Sequence, residues 1–234
     1  MRIIRNERHV RVFSAIGQYG SLVGLAALLA GLVLSFTKPE WLTLMLASVT
    51  VGMLLSVVGG FFADRYAGPL AHHEVLAEAL KYLGKRYALL QYLLPAPHVL
   101  LEPGGCTVFV VKAQSGQVTY KDGKWKHRQK GKFFRQFAGQ EAVGAPDFKA
   151  GRQVRKLERW LEKRLPGVEV PVRGVIIFVN PKIELEANDA PLPVLQPKKV
   201  KPWLQGPGKL DPLPDAVYTQ LAQALGVENT DRQN

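Results

Sequence analysis

Residues 108–118 read VFVVKAQSGQV. The run Val108, Phe109, Val110, Val111 is apolar without alternation, which marks a strand buried on both faces. It ends in Lys112 and Gln114, just before a Ser-Gly turn. Side chains alternate along a strand, so residues two apart share a face. An ammonium and an amide are therefore expected to project together where a buried strand leaves the core.

The neighbouring elements follow from this strand. On its N-terminal side a strand is expected at 98–101, closed by the turn EPGG. On its C-terminal side a strand at 117–120 and a KDGKW turn lead to another strand opening at Trp125. Together these form an antiparallel meander. The stretch 71–94 has helical spacing through Val75, Leu76, Ala79, Leu80 and Leu83, with Gly84 ending or bending it. A long basic helix begins near Pro146 or Asp147 and buries Val154, Leu157, Trp160, Leu161 and Leu165. A buried strand at 175–179 and a short one within APLPVL come next. A last helix starts near Asp215 and stops at Gly226. The fold class is α+β, a mixed sheet flanked by helices.

The N-terminal quarter is of another kind. No charged residue occurs in 12–37 or in 41–63, and the two runs are separated only by Lys38, Pro39 and Glu40. About 20 apolar residues suffice for a helix to cross a bilayer. Two membrane spans in a tight hairpin are expected, with Pro39 stopping the first. Arg2, Arg5, Arg8 and Arg11 precede the first span, and Arg65, Lys81, Lys85 and Arg86 follow the second. The positive-inside rule then puts both termini in the cytoplasm, as a multi-pass protein of the inner membrane. Gly20 and Gly24, with Gly52, Ser56 and Gly60, give small-residue stripes that pack the hairpin on itself or pair two copies. The expected organisation is 1–63 as a basic N-terminus plus two transmembrane helices, 64–73 as linker, 74–226 as a cytoplasmic domain, and 227–234 as a polar tail. The single cysteine, Cys106, excludes an internal disulfide and any Cys-based metal site.

The order of these segments resembles the nuclease-related domain, NERD, a branch of the PD-(D/E)xK nuclease-like (restriction-endonuclease-like) fold. PHVLL resembles the family's Asp-His-Val strand. VFVVKAQSGQV resembles its strand ending in Glu-x-Lys, and DGKW its Trp turn. GAPDFKAGRQVRKLERWL resembles the Asn-Pro-x-x-Gln helix start, and VRGVIIFVN and PLPVL the next two strands. The resemblance runs from about Glu74 to Leu225. It implies an Asp at the start of one strand and a Glu and a Lys two apart on the next. Those carboxylates would hold Mg²⁺, which would activate water and stabilise charge on a phosphate.

This sequence departs from that pattern at every catalytic position. Pro97 stands for the Asp, Lys112 for the Glu and Gln114 for the Lys; Ala145 and Lys149 stand for the Asn and Gln of the helix start. A lysine in place of a carboxylate repels a divalent cation as well as failing to bind it. The resemblance thus implies the fold, while the residues argue for a pseudoenzyme with no cofactor. One alternative keeps a divergent Mg²⁺-dependent nuclease by relocating its carboxylates to Glu102, at the exposed end of a strand, with Glu74 or Glu78 from the first helix. The plainer reading makes Glu102 a turn residue and the two helix glutamates solvated. His72 and His73 read as interfacial or surface residues, and Cys106 as inert.

Net charge is +12. Lys121, Lys124, Lys126, Arg128, Lys130, Lys132 and Arg135 crowd one stretch, with Tyr120, Trp125, Phe133 and Phe134 among them, and Lys149, Arg152 and Arg155 follow on the basic helix. Such density suits phosphates, and aromatics can stack on unpaired bases. Three readings stay open: nucleic acid, anionic lipid beside the membrane, or a protein partner. A lipid-facing structural membrane protein is the third functional alternative.

Overall fold

The computed structural model describes residues 1–131 and 140–227. In chain order the elements are β1 (Arg2–Arg5), α1 (Glu7–Thr37), α2 (Leu42–Tyr66), α3 (His72–Leu80), β2 (Ala88–Gln91), β3 (His98–Glu102), β4 (Gly105–Lys112), β5 (Gly116–Lys121), β6 (Lys124–Arg128), α4 (Pro146–Glu162), β7 (Val172–Phe178), β8 (Ile183–Glu186), β9 (Val194–Leu195), α5 (Pro197–Gln205) and α6 (Asp215–Ala224). Lys132, Arg135, Phe133 and Phe134 lie outside the described residues, as does the expected tail beyond Val227.

The strand read first, β4, is buried along its whole length. It is interior to a six-stranded mixed sheet of order β1-β2-β3-β4-β7-β9. It pairs antiparallel with β3 and parallel with β7, the crossover to β7 being made through α4. On one face Phe109 and Val111 pack with Leu76 and Leu80 of α3 and with Val200 and Leu204 of α5. On the other, Cys106 and Val108 pack with Leu157 and Leu161 of α4 and with Leu221 of α6. Both faces are covered, which is why the strand reads as a continuous apolar run.

The expected single meander is split between two sheets. Beyond Lys112 the chain enters a three-stranded sheet of order β6-β5-β8. Gly116 makes the change of direction: its φ is +88°, and a Cβ there would lie 2.4 Å from the Arg128 carbonyl oxygen. The β5–β6 hairpin closes through Asp122 and Gly123, both at positive φ, as an Asp-Gly two-residue turn requires.

The expected helix over 71–94 is shorter than its pattern suggested. It ends at Leu80, and Ala88–Gln91 form a fully buried strand between β1 and β3. A short apolar run buried on both sides has the same periodicity in either state, and the neighbouring strands decide it. Three further elements carried no sequence expectation: β1, β8 and α5. The first joins the N-terminal segment to the domain, because Arg2–Arg5 pair in parallel with β2 before the chain enters α1.

α1 and α2 are long and apolar enough to cross a membrane. They pack on each other where Gly17 lies against Ala63, Gly24 against Gly52 and Ser56, Gly31 against Ser48 and Val49, and Gly59 against Gly20 and Ser21. Gly52 and Gly59 are both contact glycines of the second helix, and Gly20 is the roomier member of the first stripe. Seven-residue spacing along α1 keeps the small residues on one seam where two helices wind at a shallow angle. At the base, His9 and Phe13 stack with Tyr66 and with Tyr92 of the β2–β3 loop, at ring-centroid distances of 4.9 Å for His9–Tyr92 and 5.3 Å for Phe13–Tyr66.

Candidate functional site

Where β4 ends, Lys112 and Gln114 do share a face, and both reach the same piece of chain. Lys112 Nζ donates to Glu141 Oε1 and to the Ala142 carbonyl, each at 3.1 Å. Gln114 Nε2 donates to the Glu141 carbonyl. Lys149 of α4 donates to the same Oε1 at 3.2 Å, and Arg65, in the last turn of α2, grips Oε2. One carboxylate thus sits among three cations from three separate elements. Burial alone would push the Glu141 carboxyl up, but Lys112, Arg65 and Lys149 outweigh it and bring it down to about 2. Burial pulls the Lys112 ammonium below its ordinary value, against the opposing effect of Glu141.

Beside this cluster lies a cavity of about 270 Å³ between the base of the helical hairpin and the sheet. Pro97, at the start of β3, forms part of its wall; His72 and His98 form another part. His72 and His73 are buried rather than interfacial or surface residues, because α3 turns them onto the sheet, and His98 is buried on β3. Burial, reinforced by Arg65, lowers His72 to about 3. Burial also holds His98 far below its usual value, so both imidazoles are neutral at pH 7.

None of the three relocated carboxylates enters this region. Glu102 is buried, not exposed: Arg173 Nη2 holds its two oxygens at 2.9 and 3.0 Å, and Thr107 donates to Oε1. Arg173 in turn stacks 4.6 Å over the Trp203 ring, so Glu102 is a structural anchor tying β3 to β7 and α5. Glu74 accepts from Arg5 at 2.9 Å, and Glu78 accepts from Lys81 on the surface of α3. Cys106 is fully buried, and burial raises its thiol.

The basic residues divide between two surroundings. Lys124, Lys126 and Arg128 alternate outward along β6, opposite Lys121, Thr119 and Gln117 of β5. Lys121 and Lys130 are exposed nearby. Trp125 points the other way: it packs on the core of the small sheet and donates from Nε1 to Asp147 Oδ1 at 2.9 Å. That bond sets the hairpin beside the first turn of α4, where Arg152 and Arg155 are exposed and Arg152 lies over the Phe148 ring. Lys149 belongs to the Glu141 cluster instead. Across the small sheet, β8 places Glu184 and Glu186 opposite Gln117 and Thr119. The outer face therefore runs from cationic on β6, joined by Lys121 at the end of β5, through Gln117 and Thr119 to acidic on β8.

A buried apolar strand ending in paired polar groups, followed by a Gly-initiated hairpin and a Pro-started helix, fits what the family comparison finds. Residues 71–179, just under half of the chain, match the model of the nuclease-related domain. Over that span the chain is similar to a nuclease-related domain. Its matched span covers α3 through β7 and ends at Val179, short of Leu225. No curated protein and no solved structure matches the chain.

The divalent metal that a nuclease of this fold would use does not fit the residues here. Pro97 and Gln114 offer no anionic oxygen, and Lys112 brings a cation. Both oxygens of Glu141 are already engaged by cations. Among the described residues no group of three His, Cys, Asp or Glu side chains is placed to hold a metal ion. Hard cations need several oxygen ligands, preferably anionic. Glu141 is the residue the sequence reading missed, and no local signal marks it.

Proposed function

We propose that this chain is a membrane-anchored nuclease-related domain that does not cleave and that binds nucleic acid along the cationic stripe of β6. One observation carries the loss of cleavage: the ammonium of Lys112 stands where a metal-binding carboxylate is needed, and it is held there by Glu141. The stripe supports the binding half. Lys124, Lys126 and Arg128 repeat every second residue along one strand, a spacing of roughly 6.6–6.8 Å, close to the interphosphate distance of an extended single strand. Arg152 and Arg155 extend the charge onto α4. The two apolar helices support the anchoring, and the flanking arginines support an orientation with the domain in the cytoplasm.

The test uses the full chain in nanodiscs of neutral lipid, mixed with labelled DNA and RNA at several salt concentrations. Micromolar binding that weakens as salt rises is expected, because phosphate contacts release counterions. Reversing Lys124, Lys126 and Arg128 to Glu should weaken it by at least about tenfold. No nicking is expected with Mg²⁺ or Mn²⁺. Metal-dependent nicking would refute the loss of cleavage, and absence of binding at low salt would refute the nucleic-acid reading.

A further inference from the structure

The cavity under the hairpin base is separate from the β6 stripe and has its own chemistry. Arg65 and Tyr66 of α2 line it from one side, His98 from the sheet, and Lys149 and Gln153 from α4. Among the described residues, three cations surround the single carboxylate of Glu141, which leaves this end of the cavity with an excess of positive charge. Two neutral polar residues of the wall each also have a buried atom with no hydrogen bond among the described residues. His98 is 3% exposed, and its Nδ1 has no hydrogen bond; Gln153 Oε1 is buried and likewise unbonded. Buried polar atoms without partners are rare in folded proteins, and each one calls for an explanation. A neutral imidazole carries one N–H donor, and a glutamine amide can be turned to present its NH₂. With those assignments the wall presents donors from several directions, two of them cationic, and one kind of ligand satisfies them together: a compact anion that only accepts hydrogen bonds.

We propose that this cavity binds a small phosphate group, either free or carried on a lipid headgroup. A volume of about 270 Å³ corresponds to roughly nine water molecules. That accommodates a phosphate with a short substituent and is too small for a nucleic-acid strand. Phosphate carries enough charge to offset the cation excess, and a guanidinium and an ammonium are the side chains that hold it best. Arg65 lies in the last turn of a helix long and apolar enough to cross a membrane, and with that helix in a bilayer, as proposed above, the cavity would lie at the level of the headgroups. This is why both sources have to be tested.

The experiment uses the full chain in nanodiscs of phosphatidylcholine, titrated with inorganic phosphate and followed by calorimetry and thermal unfolding. Saturable binding is expected below about 10 mM, with a rise in melting temperature as the site fills. Lys149→Gln should weaken binding by about tenfold, since it removes a charge-assisted bond. Gln153→Leu should weaken it while leaving the Glu141 cluster intact, and Lys130→Gln should leave it unchanged. Doping the nanodiscs with phosphatidic acid separates the sources: raised thermal stability with lost phosphate binding assigns the lipid, and unchanged phosphate affinity assigns the free ion. Neither phosphate saturation nor stabilisation by phosphatidic acid would overturn the proposal. So would equal losses in Lys149→Gln and Lys130→Gln. Because the β6 stripe takes no part, these outcomes are independent of nucleic-acid binding.

Discussion

The Lys112 side chain is 3% exposed, and an ammonium so placed keeps its charge only with a partner. Replacing Glu141 by Gln removes the counter-charge and leaves only neutral acceptors, the new amide oxygen and the Ala142 carbonyl. Stability should fall by about 3–5 kcal/mol in a denaturant titration. Adding Lys112→Met to the same protein should recover most of the loss, because an apolar side chain of similar length needs no counter-charge. Glu141 also sets an acid limit. Its folded value, about 2, lies below the ordinary 4.5, so its contribution is present above pH 4.5 and is lost as pH falls towards 2. The loss should approach about 3 kcal/mol at most, and Glu141→Gln should flatten that limb of the stability curve. Glu102 has the opposite sign: burial raises its carboxyl against Thr107 and Arg173, so acidification in its range does not remove stabilisation.

Among the elements, the helical hairpin makes the sharpest demand on residue size. A Cβ at Gly59 would lie 2.3 Å from the Ser21 backbone nitrogen, whereas one at Gly20 would come no closer than 3.4 Å to Gly59. Gly59→Val should therefore separate α1 from α2 and lower the melting temperature in detergent, by an overpacking cost of about 1–3 kcal/mol or more. Gly20→Ala should be nearly silent. The GxxxG pattern of Gly20 and Gly24 pointed to the right helix face, and heptad spacing through Gly17, Gly24 and Gly31 corrected the contact positions. The β5–β6 hairpin was legible because its turn chemistry is local: Asp122 and Gly123 adopt the positive φ that their residue types favour. The strand at Ala88–Gln91 was not legible, because its identity comes from β1 and β3 on either side.

For the molecule as a whole, the main consequence is that the domain is not contiguous in sequence. β1 precedes the hairpin and yet forms one edge of the large sheet, hydrogen-bonded to β2. The Met1 ammonium also donates to the Leu83 carbonyl at 2.7 Å. A fragment starting after α2 would lose this strand and uncover the apolar β2 edge. It should melt roughly 5–10 °C below the same domain carrying residues 1–6 through a short linker, measured by calorimetry. Equal melting temperatures would show that β1 adds nothing to the fold. The same arrangement fastens both ends of the hairpin to the sheet, at Asn6 and at Tyr66, and brings Arg65 onto Glu141.

The buried strands β3, β4 and β7, the apolar hairpin, the Pro146 start of α4 and the Gly226 stop after α6 were readable along the chain, because each depends on residues within one turn or one strand of each other. The partners of the unusual residues were not. Glu141 meets Lys112 across 29 positions, Arg173 meets Glu102 across 71, and β1 meets β2 across the whole hairpin. Charge neutralisation in a buried site is a matter of distance in space, and spacing along a chain carries no record of it until the chain has folded.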